Sequence, residues 1–254
     1  MNKPWVRMPS EWIRGKKLVD IRWTDTGAPR SHKVAALQLY IAIALTSEDR
    51  MWRGHEFMNV TDTKIYASAE TYTSLMRMTG LSRALISGGL RVLQNAEILT
   101  VISDGRRNLY QIRGYNGVSG WCKLPQRSMF GPDGTIVGFH ALTKRNKYEL
   151  YALKLWLYML QVRDNSSPAV NASYEKINEG TGVPEKEIPR AYGLLLSMGL
   201  LTRVGKESDD DADHKKTANA YYPIGYRDFF VGRSVPEGGQ TTGTGTPGGD
   251  SSWQ

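Results

Sequence analysis

The chain has almost no cysteine. Cys122 is the only one in 254 residues, so no internal disulfide can form, and the composition fits a reducing compartment. Long apolar runs are missing as well. The most apolar stretch, Val34 to Leu45, is too short to span a bilayer. The first residues, MNKPWVRMPSEWIRGKK, carry charges and a proline where a secretory signal would be apolar. Without such a signal, Asn171-Ala-Ser173 carries no weight as a glycosylation acceptor. Together these absences predict a cytoplasmic protein without a membrane partner.

Catalytic signatures are scarce too. No phosphate-binding loop of the G-x-x-x-x-G-K-[ST] kind occurs, which argues against ATP hydrolysis. His32, His55, His140 and His214 lie far apart, and none has a Cys or His at metal-ligand spacing. No His-hydrophobic-His pair points to a metal-dependent nickase. Gly131-Pro-Asp-Gly134 reads as a turn, not a nucleophile elbow. The acid run Asp209, Asp210, Asp211 and Asp213 lacks the glycine-turned spacing of a calcium loop and reads as solvated. The expectation is a protein that is not an enzyme and needs neither cofactor nor metal.

What is present is basic charge and apolar periodicity. Formal net charge is +8, which favours anionic partners such as nucleic acid. The excess is lopsided. Residues 1–120 hold 17 Lys/Arg against 10 Asp/Glu, a net of +7, and residues 121–254 hold 16 against 15, a net of +1. From Val235 to Gln254 there is no Lys or Arg and almost nothing to bury, so this tail is expected to be disordered.

The sequence also echoes itself. Tyr72 set on Tyr174 brings Thr79-Gly80 onto Thr181-Gly182, Ile86 onto Ile188, Leu93 onto Leu195 and Ile98-Leu99 onto Leu200-Leu201 without a gap. After a loop of variable length, Tyr110-Gln-Ile112 is matched to Tyr222-Pro-Ile224. Upstream, WVRMP (Trp5 to Pro9) resembles WCKLP (Trp121 to Pro125), and a long apolar helix follows each, over 31–45 and 146–160. In the second of these, Leu150, Leu153, Leu157 and Leu160 fit either a core or a dimer face. Each half then offers a short helix, a Thr-Gly turn, a longer helix and two strands.

In the first half the longer helix spans Ser82 to Asn95. Ile86, Leu90 and Leu93 form one apolar stripe, and Ser82 is suited to the N-cap. The opposite face carries Ser82, Arg83, Leu85, Ser87 and Gly88, with Arg91 at its edge. Two strands follow, 98–103 and 109–113, joined by DGRRN. The short helix, the TGLS turn, the helix and the IL leading into a hairpin together resemble the winged-helix form of helix-turn-helix. The match covers Thr71 to Arg113. The family usually has glycine where Glu97 stands, a departure that bears on the turn and not on the helix.

The resemblance implies a mainly α fold with small β-hairpins (α+β). It implies two tandem winged-helix domains related by duplication, 1–118 and 119–234, before the tail 235–254. It also implies that the 82–95 helix enters the major groove of double-stranded DNA. Thr79, Ser82, Arg83, Leu85, Ser87 and Arg91 are then contact residues. Arg83 can present two donors to guanine and Leu85 can meet a thymine methyl, while Gly88-Gly89 can let a backbone approach. Arg106, Arg107 and Asn108 would form a wing on phosphate or minor groove.

The second copy is less suited. Glu185 and Glu187 repel phosphate, and Pro189 falls where it would kink the helix. Lys186, Arg190, Lys215 and Lys216 remain as possible contacts. Tandem units of this size resemble the architecture of plasmid, phage or mobile-element replication initiators. A transcriptional regulator on an operator, or an interaction and assembly module, stays open, as do a homodimer and replication or transcription protein partners.

Overall fold

The computed structural model describes residues 3–52, 63–104, 107–115, 117–206 and 219–231. The fold is mixed α/β: among the described residues, eight α-helices with small antiparallel sheets. The tail 235–254, Arg106, Lys215, Lys216, His55, His214 and the acid run 209–213 lie outside the described residues.

The elements run in two similar series. The first is β1 (Val6–Pro9), α1 (Glu11–Arg14), α2 (Arg30–Thr46), β2 (Glu48–Trp52), β3 (Thr63–Ala67), α3 (Tyr72–Thr79), α4 (Arg83–Asn95), β4 (Leu99–Asp104) and β5 (Arg107–Ile112). The second is β6 (Trp121–Leu124), α5 (Gln126–Met129), α6 (Lys147–Val162), β7 (Val170–Ala172), α7 (Tyr174–Thr181), a 3₁₀ turn (Glu185–Glu187), α8 (Ile188–Ser197), β8 (Leu201–Lys206) and β9 (Asn219–Pro223). In the second series β9 lies between β7 and β8. In the first, β5 pairs with β4 on one side and meets Ser68 through Tyr110 on the other. The β2–β3 hairpin has no counterpart among the described residues of the second half.

The small helices share their local chemistry. Thr71 Oγ1 accepts from the Ser74 N–H at 3.1 Å, and Ser173 Oγ accepts from the Lys176 N–H at 3.3 Å. Each satisfies a donor that the helix start leaves unpaired. Both helices end on a left-handed glycine, Gly80 at φ 68° and Gly182 at φ 69°, a conformation that costs a residue without Cβ nothing.

The centre of the molecule is α2 against α6. From Lys33 to Leu45 every residue of α2 is buried. A helix that is apolar all round needs cover on all sides, and α2 obtains it from α4, α6, α3 and β1. Leu150, Leu153, Leu157 and Leu160 of α6 are buried in the same cluster, so this stripe is core and not a dimer face.

The two halves are interleaved. β1 and β6 pair antiparallel, with Val6 opposite Leu124 and Pro9 opposite Trp121. The Trp5 and Trp121 rings stack 6.0 Å apart, 7° from parallel. The segment before α6 crosses to the first half, where Ile136 donates its N–H to Met78 O at 2.9 Å and His140 Nε2 contacts Arg77 O at 3.0 Å. Conversely, Lys154 of α6, 2% exposed, donates to Ile21 O at 3.0 Å. One cluster of buried residues runs through both halves.

Two sequence expectations need correction. Pro189 was expected to kink a helix, but it occupies the first turn of α8, where its missing N–H deprives the helix of no bond. The 3₁₀ turn just before it absorbs the irregularity. The strand match is also out by one. Arg113 N–H bonds Ile98 O and Ile224 N–H bonds Leu200 O, both at 2.9 Å, so Tyr110 corresponds to Tyr221 and not Tyr222. A one-residue slip turns every side chain to the other face. Tyr110 and Tyr221 are both buried, whereas Tyr222 is half-exposed beneath Arg203, 4.0 Å from its ring.

Candidate nucleic-acid interface

Helix α4 is built to show one face. Ser82 is its N-cap, and its Oγ accepts from the Leu85 N–H at 3.3 Å. Ile86, Leu90 and Leu93 are buried against the core. The outward stripe is Arg83, Ser87, Arg91 and Gln94, all exposed, flanked by Ala84 and Asn95. No acidic residue occurs in α4, and Arg83 makes no ion pair with any described residue. The stripe therefore presents hydrogen-bond donors on a braced helix.

Gly88 and Gly89 do not belong to that stripe. Both are buried. A Cβ at Gly88 would lie 2.5 Å from the His32 ring, and one at Gly89 would lie 2.9 Å from the Ala36 backbone nitrogen. The backbone that comes close is α2 of the same chain, not an outside partner.

Of the other expected contact residues, Thr79 is buried, and Leu85 and Arg91 border clefts. Thr79 is 0% exposed. Its hydroxyl donates to Leu75 O at 2.5 Å and accepts from the Leu81 N–H at 3.3 Å. Thr181 makes the same pair of bonds in the second half, to Ile177 O and from Val183 N–H. Thr79 thus latches the α3–α4 turn and cannot reach a ligand. Leu85 is half-buried and lines a groove beside the stripe, with Trp23, Arg30 and Lys144. Arg91, though exposed, sits on the rim of a cleft of about 500 Å³ that also contains Asp20 and Asp25.

The β4–β5 hairpin is tighter than the sequence suggested. Asp104 pairs with Arg107 and Ser103 with Asn108, so β5 starts within the expected loop. Arg107 and Asn108 are exposed. Tyr110, two residues on, is buried, which pushes its phenol up.

In the second half the equivalent helix presents different chemistry. The offset that sets Thr79 on Thr181 replaces Arg83, Ser87, Arg91 and Gln94 with Glu185, Pro189, Gly193 and Leu196, all exposed. Lys186 is exposed. Arg190 is engaged within the chain: its Nη1 donates to Tyr148 Oη at 3.0 Å and its guanidinium lies 5.5 Å from the Tyr148 ring. Tyr148 Oη in turn donates to Glu187 Oε2 at 2.5 Å, and Lys147 Nζ donates to Glu187 Oε1 at 2.9 Å. Those two bonds hold the Glu187 carboxyl below its ordinary range.

Sequence reading missed Arg30, Lys144 and Arg145. They stand far apart in the chain and meet only because the segment before α6 crosses to α4. No helix of the described residues is long and apolar enough to cross a membrane, and no three His, Cys, Asp or Glu among them converge as metal ligands. Comparison with protein-family models, curated proteins and solved structures found no match.

Proposed function

We propose that the protein binds double-stranded DNA in a sequence-specific manner, with α4 in the major groove and the β4–β5 hairpin on the backbone. The observation that carries this reading is the outward stripe Arg83–Ser87–Arg91–Gln94, exposed, free of acids and braced from behind by α2. The order α2, β2, β3, α3, α4, β4, β5, with Ser68 bridging to β5, supports the winged-helix reading, β2 being an addition to it. The second series follows the same order, as a tandem duplication would. A stripe of donors suits base edges and phosphates, and an arginine such as Arg83 can offer two donors to guanine O6 and N7.

The biological role that fits a tandem chain of this kind is initiation of replication on a plasmid, phage or other mobile element. Helix α8 of the second unit serves a separate purpose. With Glu185 of the preceding 3₁₀ turn and Pro189, Gly193 and Leu196 of α8 outward, this face suits a protein surface better than phosphate, which favours a protein contact for α8.

Selection of bound fragments from a random duplex pool, followed by sequencing and footprinting, tests the reading. A defined motif whose copies recur at a replication origin supports an initiator. A single copy over a promoter replaces that role with transcriptional regulation. No retention of any duplex at low salt overturns DNA binding and leaves an assembly module.

A further inference from the structure

Beside the first turn of α4 lies a groove of about 500 Å³ lined by Trp23, Arg30, Ser31, Leu85, Thr143, Lys144 and Arg145. Both halves of the chain contribute to it. Three of the seven lining residues are cations and none is an acid. The first turns of two long helices open onto it, α2 through Arg30 and Ser31 and α4 through Leu85. Neither helix has an acid in its first turn, and each begins with arginine. The partial positive charge of a helix start makes such an arginine unfavourable unless an anion compensates it.

The groove is also rigid. Thr143 donates its N–H and its hydroxyl to Glu149 Oε1, at 2.6 and 2.8 Å. Glu149 is itself buried in α6. Lys144 is held at φ 64° and donates to Leu142 O at 2.6 Å. Arg30 lies 5.5 Å from the Trp23 ring, and Arg145 is exposed. Arg30 and Lys144 thus have anchoring contacts within the chain, so less ordering is left for binding to accomplish.

We propose that Arg30, Lys144 and Arg145 form a phosphate clamp, in which a loop of the second half grips the duplex backbone beside the helix that the first half inserts. This rests on the duplex-binding reading above. Partial desolvation holds the Lys144 ammonium below its ordinary range, and a bound phosphate would reverse that. The clamp gives the second half a part in DNA binding that its own α8 does not supply.

The test uses the full chain and a duplex bearing the selected site, titrated with salt. Lys144→Gly removes a charge where glycine suits the backbone, and it is combined with Arg145→Ala. Arg30→Ala is made separately. Each lost cation is expected to lower affinity roughly tenfold and to reduce the salt slope by about one. The loss should be equal on matched and mismatched sites, because phosphate contacts carry no sequence. Arg227→Ala, an exposed cation of the second half, measures the effect of net charge alone. Thermal melting verifies folding, and Arg145→Glu provides a second variant. If these variants match the Arg227 control while Arg83→Ala still relaxes base preference, the clamp is overturned and DNA binding by α4 stands. If the wild-type chain retains no duplex, both readings fall together.

Discussion

At the scale of single residues, substitutions separate stability from binding. Glu97 occupies a left-handed conformation, φ 55°, where the second half has Gly199 at φ 73°. A side chain pays there for its Cβ, and the Glu97–Lys17 pair at 3.9 Å is too exposed to offset it. Glu97→Gly should raise stability by about 0.5–1 kcal/mol and Gly199→Ala should lower it by about 1 kcal/mol, read from urea midpoints. Arg83→Ala should cost about 1–3 kcal/mol of DNA affinity and relax one base position. Thr79→Val should instead lower stability by about 1 kcal/mol and leave base preference unchanged, measured by binding to matched and mismatched duplexes. Lys154 predicts a pH dependence. Burial lowers its ammonium from 10.5 to about 7. Between those values the unfolded chain holds the extra proton, so stability should climb as pH rises through this window. Below about pH 7 both states are charged and the slope should vanish. Cys122, pushed by burial from 9.0 to about 12, works in the opposite sense above its ordinary value. The clean window is therefore about pH 7 to 9. Lys154→Met should flatten urea stability across it and leave the chain at least as stable at neutral pH.

At the scale of elements, what could be read in advance was whatever depends on near neighbours. The long helices were expected over 31–45 and 146–160 and occur at Arg30–Thr46 and Lys147–Val162. Ser82 caps α4 as its hydroxyl chemistry suggested, and the Thr-Gly turns recur. What escaped depends on distant partners. Gly88 seemed to belong to an outward face because the ring it accommodates, His32, is 56 residues earlier. The Tyr110 match slipped by one because two tyrosines, Tyr221 and Tyr222, stand side by side and only the strand register distinguishes them. Of the outward face itself, Arg83, Ser87 and Arg91 were legible from helical period; Gln94, which completes it, was not singled out. For the hairpin the expectation is uniform loss. Arg106→Ala with Arg107→Ala should weaken binding to every sequence alike, because backbone contacts position without discriminating. A change in base preference from that pair, measured by repeating the selection, would move the hairpin from the backbone to a groove edge.

At the scale of the whole molecule, a boundary near residue 118 marks a change of series but not a place where the protein comes apart. β1 completes itself with β6, α1 packs on α6, and Gln38 of α2 donates to Phe139 O at 3.2 Å. Residues 1–118 produced alone would expose the flank of α2 that α6 covers. They should fail to give a cooperative unfolding transition, and the full chain should unfold in a single one by both circular dichroism and fluorescence. Two separate transitions in the full chain would contradict a shared core.

The pairing of β1 with β6 also sets a schedule for the newborn chain. Val6 leaves the ribosome 118 residues ahead of Leu124, the residue it must meet. Through that interval the strand edge is open and one side of the α2 rod is bare. Closing so long a span is slow, and open edges of this kind are where nascent chains stick to one another. Yield in the cell should therefore depend on how quickly the ribosome reaches the end of α6, more than on the strength of any contact in the finished protein.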